Sequence, residues 1–222
     1  MATVLLGLIL PQRCVACREP GRQLCDPCLD ALPRLSEPFC ARCGAPTAWP
    51  VARCRECAGR RLAFTHAQAA VRYEGAVRRV VSAWKERGLR RLAALAAQVV
   101  ASALPAPEAA AIAYVPPDGR RSVKRGHHPA ERLALELGLC WELPVLRLLA
   151  RARPVQQQRG LALADRRRNM RGAFRPVGRA PPAVVLVDDV YTTGATVNAA
   201  ASALRRGGAR RVEVVTFARA VR

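Results

Sequence analysis

"VVLVDDVYTTGAT", residues 184–196, joins an apolar run to two carboxylates and a threonine-glycine turn. Its first four residues are apolar without polar alternation, which is typical of a strand in a parallel sheet that is covered on both faces. Such sheets bind their ligands beyond the carboxyl ends of the strands. The carboxylates of Asp188 and Asp189 follow at that end. The stretch therefore predicts a ligand site there.

Adjacent carboxylates at a buried strand end are costly without compensation, and the residues after them indicate what supplies it. Two vicinal hydroxyl groups of a ligand can donate hydrogen bonds to this acidic pair. The next residues form a turn whose glycine permits close backbone approach, and they lead into a helix whose first N–H groups favour phosphate. The predicted ligand is a ribose 5-phosphate, with its phosphate held by Thr192, Thr193, Gly194, Ala195 and Thr196. The alternatives are a simple turn cap and the acidic pocket of a phosphoacceptor domain, and the threonine-glycine turn weighs against both.

Strand and helix patterns alternate over residues 61–222, which we predict to form one α/β domain. The patterns predict strands at 64–73, 111–116, 143–149, 183–187 and 211–221, and helices at 75–88, 91–104, 128–139 and 196–207. Residues 151–175 contain no long apolar run and are predicted to be a long loop.

Eight of the nine cysteines form four CxxC pairs, namely Cys14/Cys17, Cys25/Cys28, Cys40/Cys43 and Cys54/Cys57. Two residues between thiolates let one turn present both sulfurs to a single ion, and a tetrahedral zinc ion takes two such pairs. The sequence therefore predicts two structural Zn²⁺ ions. The alternatives are disulfides and a redox CxxC, and a redox motif would not occur four times.

The order in which the CxxC pairs share an ion has two solutions. Sequential pairing gives two zinc ribbons and interleaved pairing gives a cross-brace; the short links within each set favour the ribbons. Residues 1–60 are predicted to be a small domain held together by its ligands, because this region lacks a core of its own. Cys140, beside Trp141, is predicted to be a small core residue.

The first residues, "MATVLLGLILPQRC", bear on the compartment. They carry no charged n-region and no A-x-A cleavage site, and their apolar run is shorter than the about 20 residues that a spanning helix needs. We therefore expect a cytoplasmic protein without a membrane span, whose thiolates are held by metal in a reducing environment.

Lysine and arginine total 37 against 16 acidic residues, a formal net charge of +21. This charge predicts attraction to polyanions such as nucleic acid, phosphate esters or an anionic membrane face. Residues 119–175 hold 14 basic and 4 acidic residues, a net charge of +10, while residues 1–60 are nearly balanced at +3. The alternative is a solvated face whose charge reflects an arginine-rich proteome. Aromatic residues make up only 5% of the chain, so contact with DNA would be electrostatic.

The 184–196 stretch resembles the phosphoribosyl-pyrophosphate motif of type I phosphoribosyltransferases. The whole chain is similar to the ComF family, which joins a double zinc ribbon to such a domain and is linked with DNA uptake in natural competence. The segments that carry this resemblance are the CxxC pairs, "YEG" (73–75), "WKERG" (84–88), "VPPDGRRSVKRG" (115–126) and "RARPVQQQRGLALADRRRNMRGAF" (151–174).

The resemblance implies roles for several residues. Val115 and Pro116 would begin the loop that contacts pyrophosphate, Lys85 and Arg125 would face its charge as catalytic groups, and residues 151–175 would be the hood. One amide of Gln156, Gln157 and Gln158 would match the family's glutamine. His127 and His128 stand where the family usually has an aromatic residue and asparagine, and ligand contact and simple solvation are both open for them.

Three hypotheses for function follow. In the first, the chain binds phosphoribosyl pyrophosphate and acts in competence, with single-stranded DNA and competence machinery proteins as partners. In the second, it is an active phosphoribosyltransferase of nucleotide metabolism, with Mg²⁺ bound alongside phosphoribosyl pyrophosphate. In the third, it is a zinc-ribbon interaction module on an inactive domain, which the complete set of pocket residues disfavours.

Overall fold

The computed structural model describes residues 12–117, 128–153 and 170–221. In chain order, its helices and strands are α1 Asp26–Asp30, β1 His66–Arg72, α2 Gly75–Arg87, α3 Leu92–Ala103, β2 Ala111–Tyr114, α4 Pro129–Trp141, β3 Leu149–Arg151, β4 Phe174–Pro176, β5 Ala183–Tyr191, α5 Ala195–Arg206 and β6 Arg211–Arg219. Within the described ranges, no helix combines the length and the apolar character needed to cross a membrane.

The main sheet has four parallel strands in the order β1-β6-β5-β2. Alternate residues of β5 pack on opposite faces: Val184 and Leu186 join the core cluster of α5, and Val185 and Val187 join that of α2, α3 and α4. Helices cover both faces, as the uninterrupted apolar run predicts.

The strand predicted at 143–149 is wrong in its extent. Val145 forms only an isolated parallel bridge with Ile112 of β2. Pro144 has no N–H to extend the pairing, although its carbonyl accepts a hydrogen bond from the Ile112 N–H at 2.9 Å. The chain then turns away at Leu149, where β3 pairs antiparallel with β4 in a separate two-stranded sheet.

The cysteine-rich region shares its core with the sheet. Cys14, Leu24 and Leu32 join the cluster on the α2–α4 face, whereas Cys40 and Cys57 join the cluster on the α5 face. The region is therefore not the coreless segment that its sequence suggests, because the sheet provides the apolar surface that it lacks.

Backbone contacts fix the cysteine-rich region to strand β1, through the link between its two clusters and through the second cluster. The Leu35 N–H donates to the Ala70 carbonyl at 3.0 Å, and the Arg72 N–H donates to the Pro33 carbonyl at 2.8 Å. Gly44 has a φ of +68°, and a Cβ there would collide with the Ala67 carbonyl oxygen, so only glycine lets this knuckle approach the strand so closely.

Candidate functional site

The acidic pair, Asp188 and Asp189, lies near the carboxyl end of β5, inside the strand and not beyond it. β2 pairs with β5 only as far as Tyr114 opposite Val187, whereas β6 accompanies β5 as far as Tyr191. One edge of β5 is therefore open from Asp188 onward. This opening at the carboxyl end of the sheet is the cleft in which such folds bind ligands.

Lys85 of α2 is the partner of the acidic pair. Its Nζ lies 2.7 Å from the Asp189 Oδ1, and the Asp189 N–H donates to the Asp188 Oδ1 at 2.9 Å. Asp189 is buried, while Lys85 and Asp188 are half-buried. The structure thus brings three of the predicted site residues together, with Lys85 paired to a carboxylate.

Burial and neighbouring charges shift the pKa values of Asp188 and Lys85. Burial and the Asp189 carboxylate raise the pKa of Asp188 to about 7, although Lys85 and Arg151 act in the opposite direction. Burial alone would lower the pKa of Lys85, but the carboxylates of Asp189 and Asp188 raise it above its usual value. Ligand hydroxyl groups that donate to Asp188 would favour its ionised form.

The phosphate loop, residues 192–196, joins β5 to α5. Gly194 has a φ of +69°, and a Cβ there would collide with the Tyr191 hydroxyl group, so both conformation and space require glycine. Thr193 is buried, and its Oγ1 accepts a hydrogen bond from the Ala195 N–H at 3.2 Å. Because α5 begins at Ala195, the N–H groups at its start face this loop and suit a phosphate.

The loop after β2 forms the neighbouring wall. Val115 and Pro116 are buried, and the Val115 N–H donates to the Val187 carbonyl at 3.0 Å. The Arg151 Nε donates to the Pro117 carbonyl at 3.0 Å, and the same guanidinium lowers the pKa of Asp188. The sequence assigns Arg151 only to the hood, and no sequence pattern predicts its contact with the loop after β2.

The carboxylate of Glu131 contacts two side chains at the end of β2. The Tyr114 hydroxyl group donates to the Glu131 Oε1 at 2.8 Å, and the His128 Nδ1 lies 3.7 Å from the Glu131 Oε2. His128 precedes α4 as its N-cap residue. Arg125, His127, most of the 151–175 segment and the glutamines at 156–158 lie outside the described residues.

The eight paired cysteines form two clusters, each with its four sulfurs within 4.8 Å of one another. The first cluster is Cys14, Cys17, Cys25 and Cys28, and the second is Cys40, Cys43, Cys54 and Cys57. The sequential pairing is therefore confirmed. Sulfur separations of 3.5–3.6 Å approach the edge of a ZnS₄ tetrahedron, about 3.8 Å for Zn–S bonds of about 2.3 Å, and exceed a disulfide bond.

The thiols show why a cation belongs in each cluster. Burial would raise the pKa of Cys14, but the backbone N–H groups of Cys17, Cys25 and Ala16 lower it to about 6. The Cys25 and Cys17 side chains raise the pKa of Cys28 to about 12. Four crowded sulfurs cannot all ionise without positive charge, and Zn²⁺ supplies it.

Cys140 is exposed, so its assignment to the core is wrong.

Comparisons with known proteins find a family model for the cysteine-rich region and solved structures with weak similarity. Residues 5–58 match the family model described as "Double zinc ribbon domain". Two solved structures share 20% identity with the chain. Orotate phosphoribosyltransferase from Aeropyrum pernix has a TM-score of 0.32, with 62% of each chain covered. Purine phosphoribosyltransferase from Pyrococcus horikoshii Ot3 has a TM-score of 0.29, with 61% of this chain and 84% of that one covered.

Curated relatives match almost from end to end. "DNA utilization protein YhgH" from Salmonella typhi is 30% identical over 93% of this chain and 96% of its own. "Competence protein F" from Haemophilus influenzae is 30% identical over 94% of this chain and 97% of its own. With the double zinc ribbon and the parallel α/β sheet that the sequence predicts, the chain belongs to the competence protein F (ComF) family.

Proposed function

We propose that the protein binds phosphoribosyl pyrophosphate in the cleft beside β5 and acts in DNA uptake during natural competence. The observation that carries the ligand assignment is the acidic pair, bonded to Lys85 through Asp189 and followed directly by a glycine loop at the start of α5. The role in DNA uptake follows from relatives named "Competence protein F" and "DNA utilization protein YhgH".

Each part of this ligand has a matching group. The ribose hydroxyls donate to Asp188 and Asp189, whose carboxylates lie at the open edge of β5 and need donors in a partly buried place. The 5-phosphate accepts hydrogen bonds from the phosphate loop and the first turn of α5. The pyrophosphate would lie toward Val115 and Pro116, with positive charge from Lys85 and Arg151, and the family resemblance adds Arg125.

Mg²⁺ would enter with the ligand, because this ion is typically held by one or two carboxylates together with the phosphates of a substrate. Asp188 and Asp189 are the carboxylates that would hold such an ion. When bound, the ion would neutralise part of the pyrophosphate charge. The protein's own contribution is to hold the ribose and to exclude water from the acidic pair.

An active phosphoribosyltransferase is the second candidate, and the positive charge of Lys85 next to the acidic pair favours it. In that reaction a base nitrogen forms a bond to the sugar C1 while the C1–O bond to pyrophosphate breaks, and the pyrophosphate leaves with both bonding electrons. Cationic side chains would stabilise the charge on the leaving group.

Single-stranded DNA and competence machinery proteins are the proposed partners. The net charge of +21 supports a polyanionic partner. Eight thiols gathered for metal and free of disulfides favour a reducing compartment, so we place the protein in the cytoplasm.

Calorimetric titration with phosphoribosyl pyrophosphate and Mg²⁺ tests the proposal, followed by a pyrophosphate-release assay with a panel of purine and pyrimidine bases. We expect saturable one-site binding, since the described sheet has one such cleft. Pyrophosphate release with one base alone would favour the transferase. A titration without heat, together with no thermal stabilisation by the ligand, would contradict phosphoribosyl-pyrophosphate binding.

A further inference from the structure

A groove of about 570 Å³ separates the first cluster from α2. We call it the ribbon groove; it is lined by Arg13, Cys14, Val15, Arg18, Arg78, Arg79, Ser82, Ala83 and Arg87. Five of these nine residues are arginines, and none is acidic. A groove with this lining concentrates positive potential in one concave place.

The arginines of the ribbon groove are only partly used by the protein itself. Arg13 donates to the Arg18 carbonyl at 3.2 Å, and Arg78 donates to the Tyr73 carbonyl at 3.1 Å. Arg18, Arg79 and Arg87 are exposed, and none of them takes part in an ion pair with another described residue. A bound anion would relieve their mutual repulsion.

The shape and chemistry of the ribbon groove select the kind of anion. Arg79 and Arg87 are eight positions apart on α2, which corresponds to about 12 Å along the helix axis. One small phosphate cannot reach across that distance, whereas consecutive phosphates of a nucleic acid strand can. No aromatic side chain lines the groove, so it offers contacts to phosphates and no stacking platform for bases.

We propose that the ribbon groove binds the phosphate backbone of single-stranded DNA, without sequence preference. The inference rests on the DNA partner proposed above and gives that partner a location. Binding in the ribbon groove also keeps the DNA away from the acidic pair. Those carboxylates would repel the phosphates of a strand unless a cation or hydroxyl groups lay between them.

The test replaces Arg18, Arg79 and Arg87 together with glutamine. A matched control replaces three exposed arginines outside the groove, Arg175, Arg179 and Arg210, which gives the same change in net charge. Affinity for a labelled oligonucleotide is measured at several salt concentrations. Each lost phosphate contact lowers the steepness of log affinity against log salt by about 0.7, so the three substitutions should lower it by about 2. The affinity lost by the groove variant, relative to the unmodified protein, should therefore be about 100-fold larger at 0.1 M salt than at 1 M salt.

The outcomes are distinct. A slope that falls in the groove variant and not in the control supports the site, provided that oligonucleotides of different sequence respond alike. Equal losses in both variants, or none in the groove variant, overturn the groove as the binding place. Preference for a duplex over a single strand also overturns it. Absence of binding by the unmodified protein overturns the DNA partner itself.

A second, independent observation concerns Arg219 at the end of β6, which is only 1% exposed. Its Nη1 donates to the Cys43 carbonyl at 2.5 Å, and its Nη2 lies 2.7 Å from the Glu56 Oε2 and 3.7 Å from the Cys43 Sγ. A buried guanidinium needs such partners. It also places positive charge beside the second cluster, whose four thiolates exceed the charge of one Zn²⁺.

The other side of Arg219 reaches toward the phosphate loop. The guanidinium carbon lies 4.4 Å from the centre of the Tyr191 ring, in cation–π contact. The hydroxyl group of Tyr191 lies directly under Gly194. Arg60, three residues after Cys57, donates to the Thr193 carbonyl at 3.1 Å. Two separate contacts therefore connect the second cluster to the loop.

We propose that Arg219 is a positioning residue through which the second cluster holds the phosphate loop in its binding conformation. Zinc in this cluster would then support ligand binding across the boundary between ribbon and sheet. This inference depends on the proposed ligand only for its affinity readout.

Arg219→Gln tests the link, and Arg211→Gln is the control because Arg211 pairs with Glu213 at the opposite end of the same strand. We expect Arg219→Gln to speed hydrogen exchange of the amides at 193–197, to release one of two zinc ions faster to a chelator, and to weaken phosphoribosyl-pyrophosphate binding at least tenfold. If Arg219→Gln does not fold, Glu56→Gln removes only the carboxylate partner, and a smaller change in the same direction is expected.

Faster zinc release with unchanged exchange in the loop would reduce Arg219 to a structural role and overturn the link, as would no change in either readout. An unmodified protein that fails to bind the ligand would contradict the proposed function alone, because exchange and zinc release still report on the link.

Discussion

Replacement of both Asp188 and Asp189 by asparagine is expected to weaken phosphoribosyl-pyrophosphate binding at least 100-fold while the fold persists. Hydrogen bonds to charged groups contribute about 1.5–3 kcal/mol each, and two hydroxyl groups would lose this charge assistance. A tenfold change in affinity corresponds to about 1.4 kcal/mol, so the combined loss reaches 100-fold. Isothermal titration calorimetry measures it directly.

The matched control for this variant is Glu213→Gln. Glu213 is also a buried acid of the sheet, but it lies opposite Val185, away from the carboxyl end, and pairs with Arg211 and His66. It should cost stability and leave ligand affinity unchanged. Unchanged affinity in the double variant would exclude the acidic pair from ribose binding, whatever the control shows.

The single variant Asp188→Asn gives a pH-dependent result. The pKa of Asp188 is raised from its ordinary value to about 7 by burial and by the Asp189 carboxylate. A group whose pKa is raised on folding favours the folded state as long as it is protonated there. The contribution of Asp188 to the free energy of unfolding is therefore complete below its ordinary pKa of about 4 and is lost as pH rises through about 7. Asp188→Asn should therefore raise the melting temperature more at pH 8 than at pH 5, and an equal effect at both pH values would contradict the raised pKa.

The central strand and the zinc pairing could be predicted from the sequence because each depends on short-range patterns. A run of four apolar residues identifies β5, and the links of seven and ten residues within each cysteine set favour sequential pairing. Both patterns act over a few residues, so the sequence order alone carries them. The cleft at the acidic pair follows from the same argument, because parallel strands present their carboxyl ends on one edge.

The supports of the site could not be predicted, because they come from distant parts of the chain. Arg219 and Cys43 are 176 positions apart, and Arg60 and Thr193 are 133 apart. No periodicity links such residues. The error at Cys140 is of another kind: the buried positions of α4 include Leu133, Leu137 and Trp141, at helical spacing, and Cys140 falls outside that stripe.

Removal of zinc is expected to unfold the ribbons and to destabilise the sheet with them. Structural zinc contributes about 10–16 kcal/mol in small zinc domains, which equals or exceeds the whole stability of a typical domain, about 5–15 kcal/mol. Because Cys14 and Leu24 share a core with α2–α4, and Cys40 and Cys57 share one with α5, loss of either cluster exposes apolar surface of the sheet. Metal analysis should first give two zinc ions per chain.

The variants Cys14→Ser and Cys57→Ser each remove one ligand, and Cys140→Ser is the matched control because Cys140 is exposed and belongs to neither cluster. Each ligand variant should bind one zinc ion instead of two and melt at a lower temperature in a single transition, with Cys57→Ser also weakening phosphate-loop order through Arg60. Circular dichroism and hydrogen exchange of the β6 amides measure whether the sheet follows the ribbons. A sheet that keeps its protection in a zinc-free protein would show that the ribbons are energetically separate despite the shared core, and a metal-free protein with four intact disulfides would contradict the zinc assignment altogether.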